Sequence, residues 1–230
     1  MAPTRSVLLS GGAGALGASV LRRLRSAGFA VHAPSSSPKS VAELAQAGAN
    51  AAQVDLTDEA AVKQYVRAIP EAGELRAAVL LAGGFAMGSL ADTSTAELRK
   101  MLAINFETAF HLVRELLPLF ERRGGGQFVL VGARPALDAG AGAHMAAYAL
   151  SKGLVHQLAE LINAFGRDKA IDATLIVPSV IDTPANRAAM PDADARRWVS
   201  PDAIADAIAF TLTDSGGQMR GSVLKLYNAS

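Results

Sequence analysis

A strand that runs into a glycine-rich turn and then into a helix constrains this chain more than any other feature. Val7-Leu8-Leu9 is a short apolar run that stops at Ser10-Gly11-Gly12-Ala13-Gly14-Ala15-Leu16-Gly17. SVLRRLRSAG follows, with Val20, Leu21 and Leu24 at helical spacing and Gly28 as the C-cap. The alternation continues to the end of the chain. Further strands are predicted at Ala30 to Ala33, Gln53 to Asp55, Ala77 to Leu81, Gln127 to Val131, Ala173 to Val177 (stopped by Pro178) and Ser222 to Leu226. Helices are predicted to open at Thr57-Asp58-Glu59 and Ser200-Pro201-Asp202, to run from Thr95 to Arg122 with a break near Pro118, and to carry Tyr148 as far as Phe165. Strands alternating with helices imply an α/β fold: one doubly wound, mostly parallel seven-stranded sheet with helices on both faces. No repeat or linker divides the chain, so residues 1–230 are expected to form a single domain, and the irregular stretch Asp182 to Val199 reads as a lid.

Gly11 permits a tight turn, and small side chains let backbone N–H groups approach a pyrophosphate at a helix N-terminus. Gly11, Gly12, Gly14, Ala15, Leu16 and Gly17 are therefore candidate contacts to a dinucleotide. Such folds usually place an acid after the second strand to hold the adenosine ribose. Here Pro34-Ser35-Ser36-Ser37-Pro38-Lys39 offers hydroxyls and an ammonium, which suit a 2′-phosphate. NADP(H) is expected ahead of NAD(H), with Ser35 and Ser36 as contacts. Asp55, followed by Leu56, is a candidate either to cap the next helix or to touch adenine.

Tyr148 and Lys152 lie four apart in the helix-forming run AAYALSK and so share one helical face. A free tyrosine, with a pKa of about 10, is too weakly acidic to act as a base near neutrality. An ammonium roughly 4 Å away favours the phenolate by up to ~4 kcal/mol at an effective dielectric of 20. That spacing suits proton transfer.

Composition excludes several alternatives. The chain has no cysteine, so disulfides and thiol nucleophiles are absent. Its net charge of +1 is built from mixed signs and advertises no nucleic-acid surface. His32, His111, His144 and His156 form no short metal-ligand pattern and read as ordinary surface or satisfied histidines, so no metal is expected. No apolar run reaches the ~20 residues of a membrane helix. MAPTRSVLLSGG is not a secretory signal pattern, and a soluble cytoplasmic protein is expected.

Taken together, the glycine turn, Leu81-Ala82-Gly83-Gly84, Asn105, the Tyr148/Lys152 pair and the Pro178 to Thr183 segment resemble the short-chain dehydrogenase/reductase family, over nearly the whole chain and in the family's order. The resemblance implies a Rossmann-like fold and an NAD(P)-dependent oxidoreductase. It implies that Tyr148 donates or accepts the proton, and that Lys152 binds the nicotinamide ribose and lowers the Tyr148 pKa. Asn105 would hold the water and backbone arrangement that links Lys152 to solvent. Ala82, Gly83 and Gly84 would border the cofactor, and Pro178, Ile181 and Thr183 would lie at its carboxamide end.

Two departures bear on the chemistry. Ala15 stands where the family has glycine, and Gly132-Ala133 stands where it has the catalytic serine. Ser151, three residues from Tyr148, is expected to serve helix packing or capping instead. Loss of an oxyanion donor costs about 2.7–4 kcal/mol where a carbonyl becomes an alkoxide. These departures are similar to those of the dihydropteridine reductases, a branch of the family, as are ALD, GLVHQL and PSVIDTPANRAAMPDADARRW. Their substrate, a quinonoid dihydropterin, takes hydride into a conjugated ring. Ser35 departs from that branch, which has an NADH-binding acid there. The competing expectation is a nucleotide-binding sensor or scaffold that has lost catalysis. Ala133, Phe85 and Trp198 are candidate substrate contacts, with Met87, His144, Met145 and Met190 nearby. Phe106, Phe110 and Leu112, with Leu154, Leu158, Leu161 and Ile162, make two helices apolar on more than one face, which points to a homodimer or homotetramer.

Overall fold

The computed structural model describes residues 5–70 and 74–230; the expectation about the first residues of the chain lies partly outside them. In chain order the elements are β1 (Arg5–Ser10), α1 (Ala15–Ser26), β2 (Ala30–Ser35), α2 (Pro38–Gln46), β3 (Asn50–Gln53), α3 (Glu59–Ala68), β4 (Glu74–Leu80) and α4 (Thr95–Leu102). They continue with α5 (Thr108–Arg122), β5 (Gly126–Val131), α6 (Ala139–Gly142), α7 (Ala146–Gly166), β6 (Ile171–Pro178), α8 (Pro184–Ala189), α9 (Pro201–Thr211) and β7 (Val223–Leu226). The strands form one parallel seven-stranded sheet in the order β3-β2-β1-β4-β5-β6-β7.

Both sheet faces are apolar, and the two-residue period of a strand divides the core. Leu8, Ala78, Leu80, Phe128 and Leu130 face α3, α5 and α7, where Val62, Leu112, Leu116, Phe120, Val155, Leu158 and Ile162 meet them. Val7, Leu9, Val79, Val129 and Val131 point the other way, onto Val20, Leu21 and Leu24 of α1 and Ile204 and Ile208 of α9. Each large side chain so buried contributes roughly 1.5–3 kcal/mol. Asp58 caps α3 by accepting from the N–H groups of Ala60 and Ala61, and Ser200 caps α9 by accepting from Ala203.

The structure moves three boundaries. The third strand lies earlier than Gln53 to Asp55, because the Asp55 carboxylate accepts from the N–H and hydroxyl of Thr57 and turns the chain there. The long helix does not break at Pro118, which sits inside α5 on an exposed face, while Leu116 and Phe120 on either side are fully buried. The irregularity lies instead at a π-turn, Ala103–Glu107, between α4 and α5. The 182–199 segment carries a helix, α8, and is pinned at its neck by the pairing of Ile181 with Val199.

At the junction of β1 and α1, Gly11 has φ +68°, and a Cβ there would lie 2.8 Å from the backbone N of Ala82. A Cβ at Gly17 would strike the backbone of Gly11 and Gly12, so α1 can lie against the turn only with glycine there. Gly17→Ala is expected to destabilise the fold by roughly 1–3 kcal/mol, read from urea unfolding at equilibrium.

Candidate active site

The strand order reverses between β1 and β4, so their C-terminal ends open a crevice where the glycine turn faces Ala82. Asn105 enters this region from the π-turn, in which the Thr108 N–H reaches back to the Ala103 carbonyl. The extra residue per turn directs the Asn105 carboxamide inward, where it is 1% exposed. Its Oδ1 accepts from the Gly84 N–H at 2.8 Å, and its Nδ2 donates to Ser151 Oγ at 3.0 Å. Ser151 in turn donates to the Tyr148 carbonyl at 2.8 Å, one turn back along α7. Ser151 thus bonds within its own helix, as its position suggests, and also receives the bond that ties Asn105 to α7.

The buried stripe of α7, which includes Ala147, Ser151, Val155, Leu158 and Ile162, follows helical spacing and carries Lys152 inward with it. Lys152 is 6% exposed and donates from Nζ to the Val131 carbonyl at 2.8 Å. Burial drives its pKa down to about 8. Tyr148, half-buried by area but densely surrounded, meets the exposed ring of Phe85 edge-on at 5.1 Å, and burial pushes its hydroxyl up to about 12. This reverses the expected lowering of Tyr148 by Lys152. The Lys152 ammonium donates to the Val131 carbonyl, and burial of the phenol is the cause of the Tyr148 shift.

Gly132 and Ala133 continue the floor beyond β5. The Gly132 N–H donates to the Ile176 carbonyl at 2.9 Å, and the Ala133 N–H donates to His156 Nε2 at 3.3 Å. His156 is thus a satisfied histidine, one of the two kinds expected, and its ring lies against the floor at Gly132 and Ala133. Its place four residues beyond Lys152, on the same helical stripe, was the available signal.

The remaining candidates divide into two groups. A Cβ at Gly83 would strike Asn105 Oδ1 and lie 3.5 Å from Lys152 Nζ, which puts Ala82-Gly83-Gly84 beside Asn105 and Lys152. Gly12, Gly14, Ala15, Leu16 and Gly17 gather at the start of α1, with the Ala15 methyl exposed. Ser35 ends β2, and Ser36 follows it in the open. Ser37 caps α2 and Lys39 pairs with Glu43 at 3.8 Å, so those two are already engaged. Asp55 is exposed and held by Thr57, while the Leu56 carbonyl lies 3.0 Å from His111 Nδ1. Pro178 ends β6; Asn186 donates to the Ile181 carbonyl and, through its N–H, to the Thr183 hydroxyl. The loop carrying Phe85 is tied to the entrance of α7, where the Gly88 N–H donates to the His144 carbonyl and the Ala146 N–H to the Gly88 carbonyl, each at 2.8 Å. Met87 and Met190 are exposed beyond it. Trp198, a candidate substrate contact, is 7% exposed, and its carbonyl accepts from the Asn228 side chain at the end of the 182–199 excursion. A groove of ≈ 540 Å³ between α1 and α2 lies behind the glycine turn, and Tyr148 and Lys152 take no part in its lining. Among the described residues, no group of three or more histidine or acidic side chains is placed to hold a metal, and no helix is long and apolar enough to cross a membrane.

A parallel doubly wound sheet with a glycine turn at its switch point and a Tyr/Lys pair at the rim defines a class of nucleotide-dependent oxidoreductases. Residues 5–194 match the family model for short chain dehydrogenase, and the chain belongs to that family. It is 30% identical to the cyclic-di-GMP-binding biofilm dispersal mediator protein of Escherichia coli (strain K12), over 90% of this chain and 88% of that one. It is 27% identical to the dihydropteridine reductase of Dictyostelium discoideum, over 99% of this chain and 96% of that one. A short-chain type dehydrogenase/reductase from Mycobacterium ulcerans shares the fold with a TM-score of 0.88 at 23% identity, over 99% of this chain and 90% of that one.

Because the Lys152 pKa falls from 10.5 to about 8 on folding, the unfolded chain holds more protons between those values. The penalty for burying the charge is full below pH 8 and relieved as pH rises through that window, by on the order of 3 kcal/mol. Urea melts of the ligand-free protein are expected to show this rise relative to Lys152→Met, in which it is absent.

Proposed function

We propose that this chain is an NAD(P)H-dependent reductase that passes hydride to a conjugated ring or activated carbonyl, with a quinonoid dihydropterin as the leading candidate. The observation that carries this reading is the composition of the floor. Tyr148 offers a hydroxyl that burial keeps protonated, Ala133 offers none, and the Ala133 N–H is engaged by His156. Such a site suits a substrate that needs one proton and develops no isolated alkoxide, because the missing donor then forfeits little of the 2.7–4 kcal/mol it is worth elsewhere. The branch resemblance and the 27% identity to a dihydropteridine reductase point the same way.

The start of α1 fits a dinucleotide. Gly14 at its N-cap makes no side-chain cap bond, no acid occupies the first turn, and the backbone N–H groups there suit a pyrophosphate. Once bound, the cofactor supplies the hydride. Gly11 to Gly17 hold its diphosphate, Ala82 to Gly84 flank it, and Pro178, Ile181 and Thr183 meet its carboxamide end. Lys152 binds the nicotinamide ribose, and Tyr148 acts as general acid from its hydroxyl oxygen. A tyrosine raised to about 12 is a donor at neutral pH, which suits reduction more than alcohol oxidation. Ser35 and Ser36 favour NADP(H) over NAD(H), through hydroxyls alone, since Ser37 and Lys39 are committed locally. Phe85 and Ala133 border the substrate. The whole chain, residues 1–230, acts as one cytoplasmic domain. A catalytically impaired sensor has less support, because Asn105, Ser151 and Tyr148 are joined through α7, which also carries Lys152.

Stopped-flow oxidation of NADPH and of NADH by quinonoid dihydropterin tests the reading, with rapid oxidation and an NADPH preference expected. Cofactor binding without oxidation of this or any quinone or carbonyl acceptor overturns it in favour of the sensor. Tyr148→Phe is expected to lower kcat by about 10²–10⁴ while cofactor binding survives.

The outward faces of α5 and α7 expose Phe110, Leu154, Leu161 and Phe165, whereas Leu112, Leu158 and Ile162 are buried on the sheet. These outward residues support a homodimer, or a tetramer built from it. Light scattering at micromolar concentration is expected to give at least twice the monomer mass.

A further inference from the structure

We propose that His156 is a positioning residue for proton transfer, acting through the backbone of residues 131–133. This rests on the assignment of Tyr148 and Lys152 above. Three consecutive residues at the end of β5 are each held by a separate bond: the Val131 carbonyl by Lys152 Nζ at 2.8 Å, the Gly132 N–H by the Ile176 carbonyl at 2.9 Å, and the Ala133 N–H by His156 Nε2 at 3.3 Å. Lys152 and His156 stand one turn apart on α7, so a single rigid helix grips this strip at two points and carries Tyr148 one turn further back. The lysine grip fixes a carbonyl and the histidine grip fixes an amide, which leaves the strip little freedom to rotate.

The bond to Ala133 also fixes the chemistry of the ring. An imidazole nitrogen that accepts from an N–H carries a lone pair, so His156 is neutral with its proton on Nδ1. Burial and the neighbouring Lys152 charge both lower its pKa, which keeps it in that state. Gly132 completes the arrangement, because a Cβ there would run into the His156 ring. The missing side chain at 132 and the ring at 156 are matched. The consequence for substrate is selective. The Ala133 amide is withheld from the pocket, and Tyr148 is left as the donor in this part of the floor.

Two readouts test the proposal, the first independent of activity. In ¹⁵N-histidine NMR, the resonances lost in His156→Gln identify the residue, and wild-type His156 is expected as the neutral Nδ1–H tautomer at neutral pH. An Nε2–H tautomer or an imidazolium there overturns the proposal. The second is a pair of variants assayed with NADPH and quinonoid dihydropterin. His156→Leu removes the acceptor and is expected to lower kcat by about tenfold to a hundredfold, with the KM for NADPH little changed. His156→Gln, whose carbonyl oxygen can accept near the Nε2 position, is expected to restore most of that loss. Equal turnover in the two variants marks His156 as packing alone and overturns the proposal. If Tyr148→Phe turns over normally the functional reading falls, and the tautomer still decides the His156 bond.

Discussion

The carboxamide of Asn105 is the tie on which the site depends. One end takes the Gly84 N–H from the loop after β4, and the other reaches Ser151 on α7. Both partners are drawn from distant parts of the sequence, so one buried side chain sets the spacing between the loop after β4 and the helix that carries Tyr148 and Lys152. A buried amide left without partners costs about 1–3 kcal/mol, so the tie is strict. The π-turn is its mechanical counterpart. A regular helix through residues 103–107 would rotate Asn105 away from Gly84, and the turn exchanges regular hydrogen bonding for that aim.

Electrostatics in the floor are governed by burial more than by attraction between charges. Lys152 holds its proton against desolvation by donating to a carbonyl, and among the described residues it makes no ion pair with a carboxylate. Tyr148 experiences the same dry environment from the other side of the titration scale. The two groups therefore move apart in acidity, the ammonium becoming the stronger acid and the phenol the weaker, which widens the free-energy gap for moving a proton from Tyr148 to a neutral Lys152. A four-residue spacing alone suggests a different balance, with the ammonium pulling the phenol down.

Much of the fold was legible because its signals are local and periodic. Seven apolar runs, a glycine turn and cap residues such as Asp58 and Ser200 each announce an element within a few residues. Pro118 misled because the burial of Leu116 and Phe120 on either side anchors α5 through the proline, which itself lies on the exposed face. In the site, the Tyr148/Lys152 pair and Asn105 were visible as residue types, and the structure sets them on converging elements. The bond between the Ala133 N–H and His156 was not visible: the place of His156 four residues beyond Lys152 puts it on the right helix face, but which loop amide it meets depends on the fold. The electrostatic inversion at Tyr148 was equally hidden, since desolvation depends on neighbours supplied by the whole fold.

The crevice between β1 and β4 has a consequence for how the chain reaches its native state. β1 finds β2 through a short crossover, but its other neighbour is remote: Leu8 pairs with Ala78. Closing so long a loop is entropically expensive and tends to come late in folding. Gly11 meets Ala82 only after that closure, so an intermediate holding just one side of the sheet has no complete cradle. A ligand that binds there selects finished molecules, adding about 2.7 kcal/mol at a hundred times its dissociation constant. Nucleotide supply in the cell thereby becomes a determinant of how long each copy of this chain resists proteolysis.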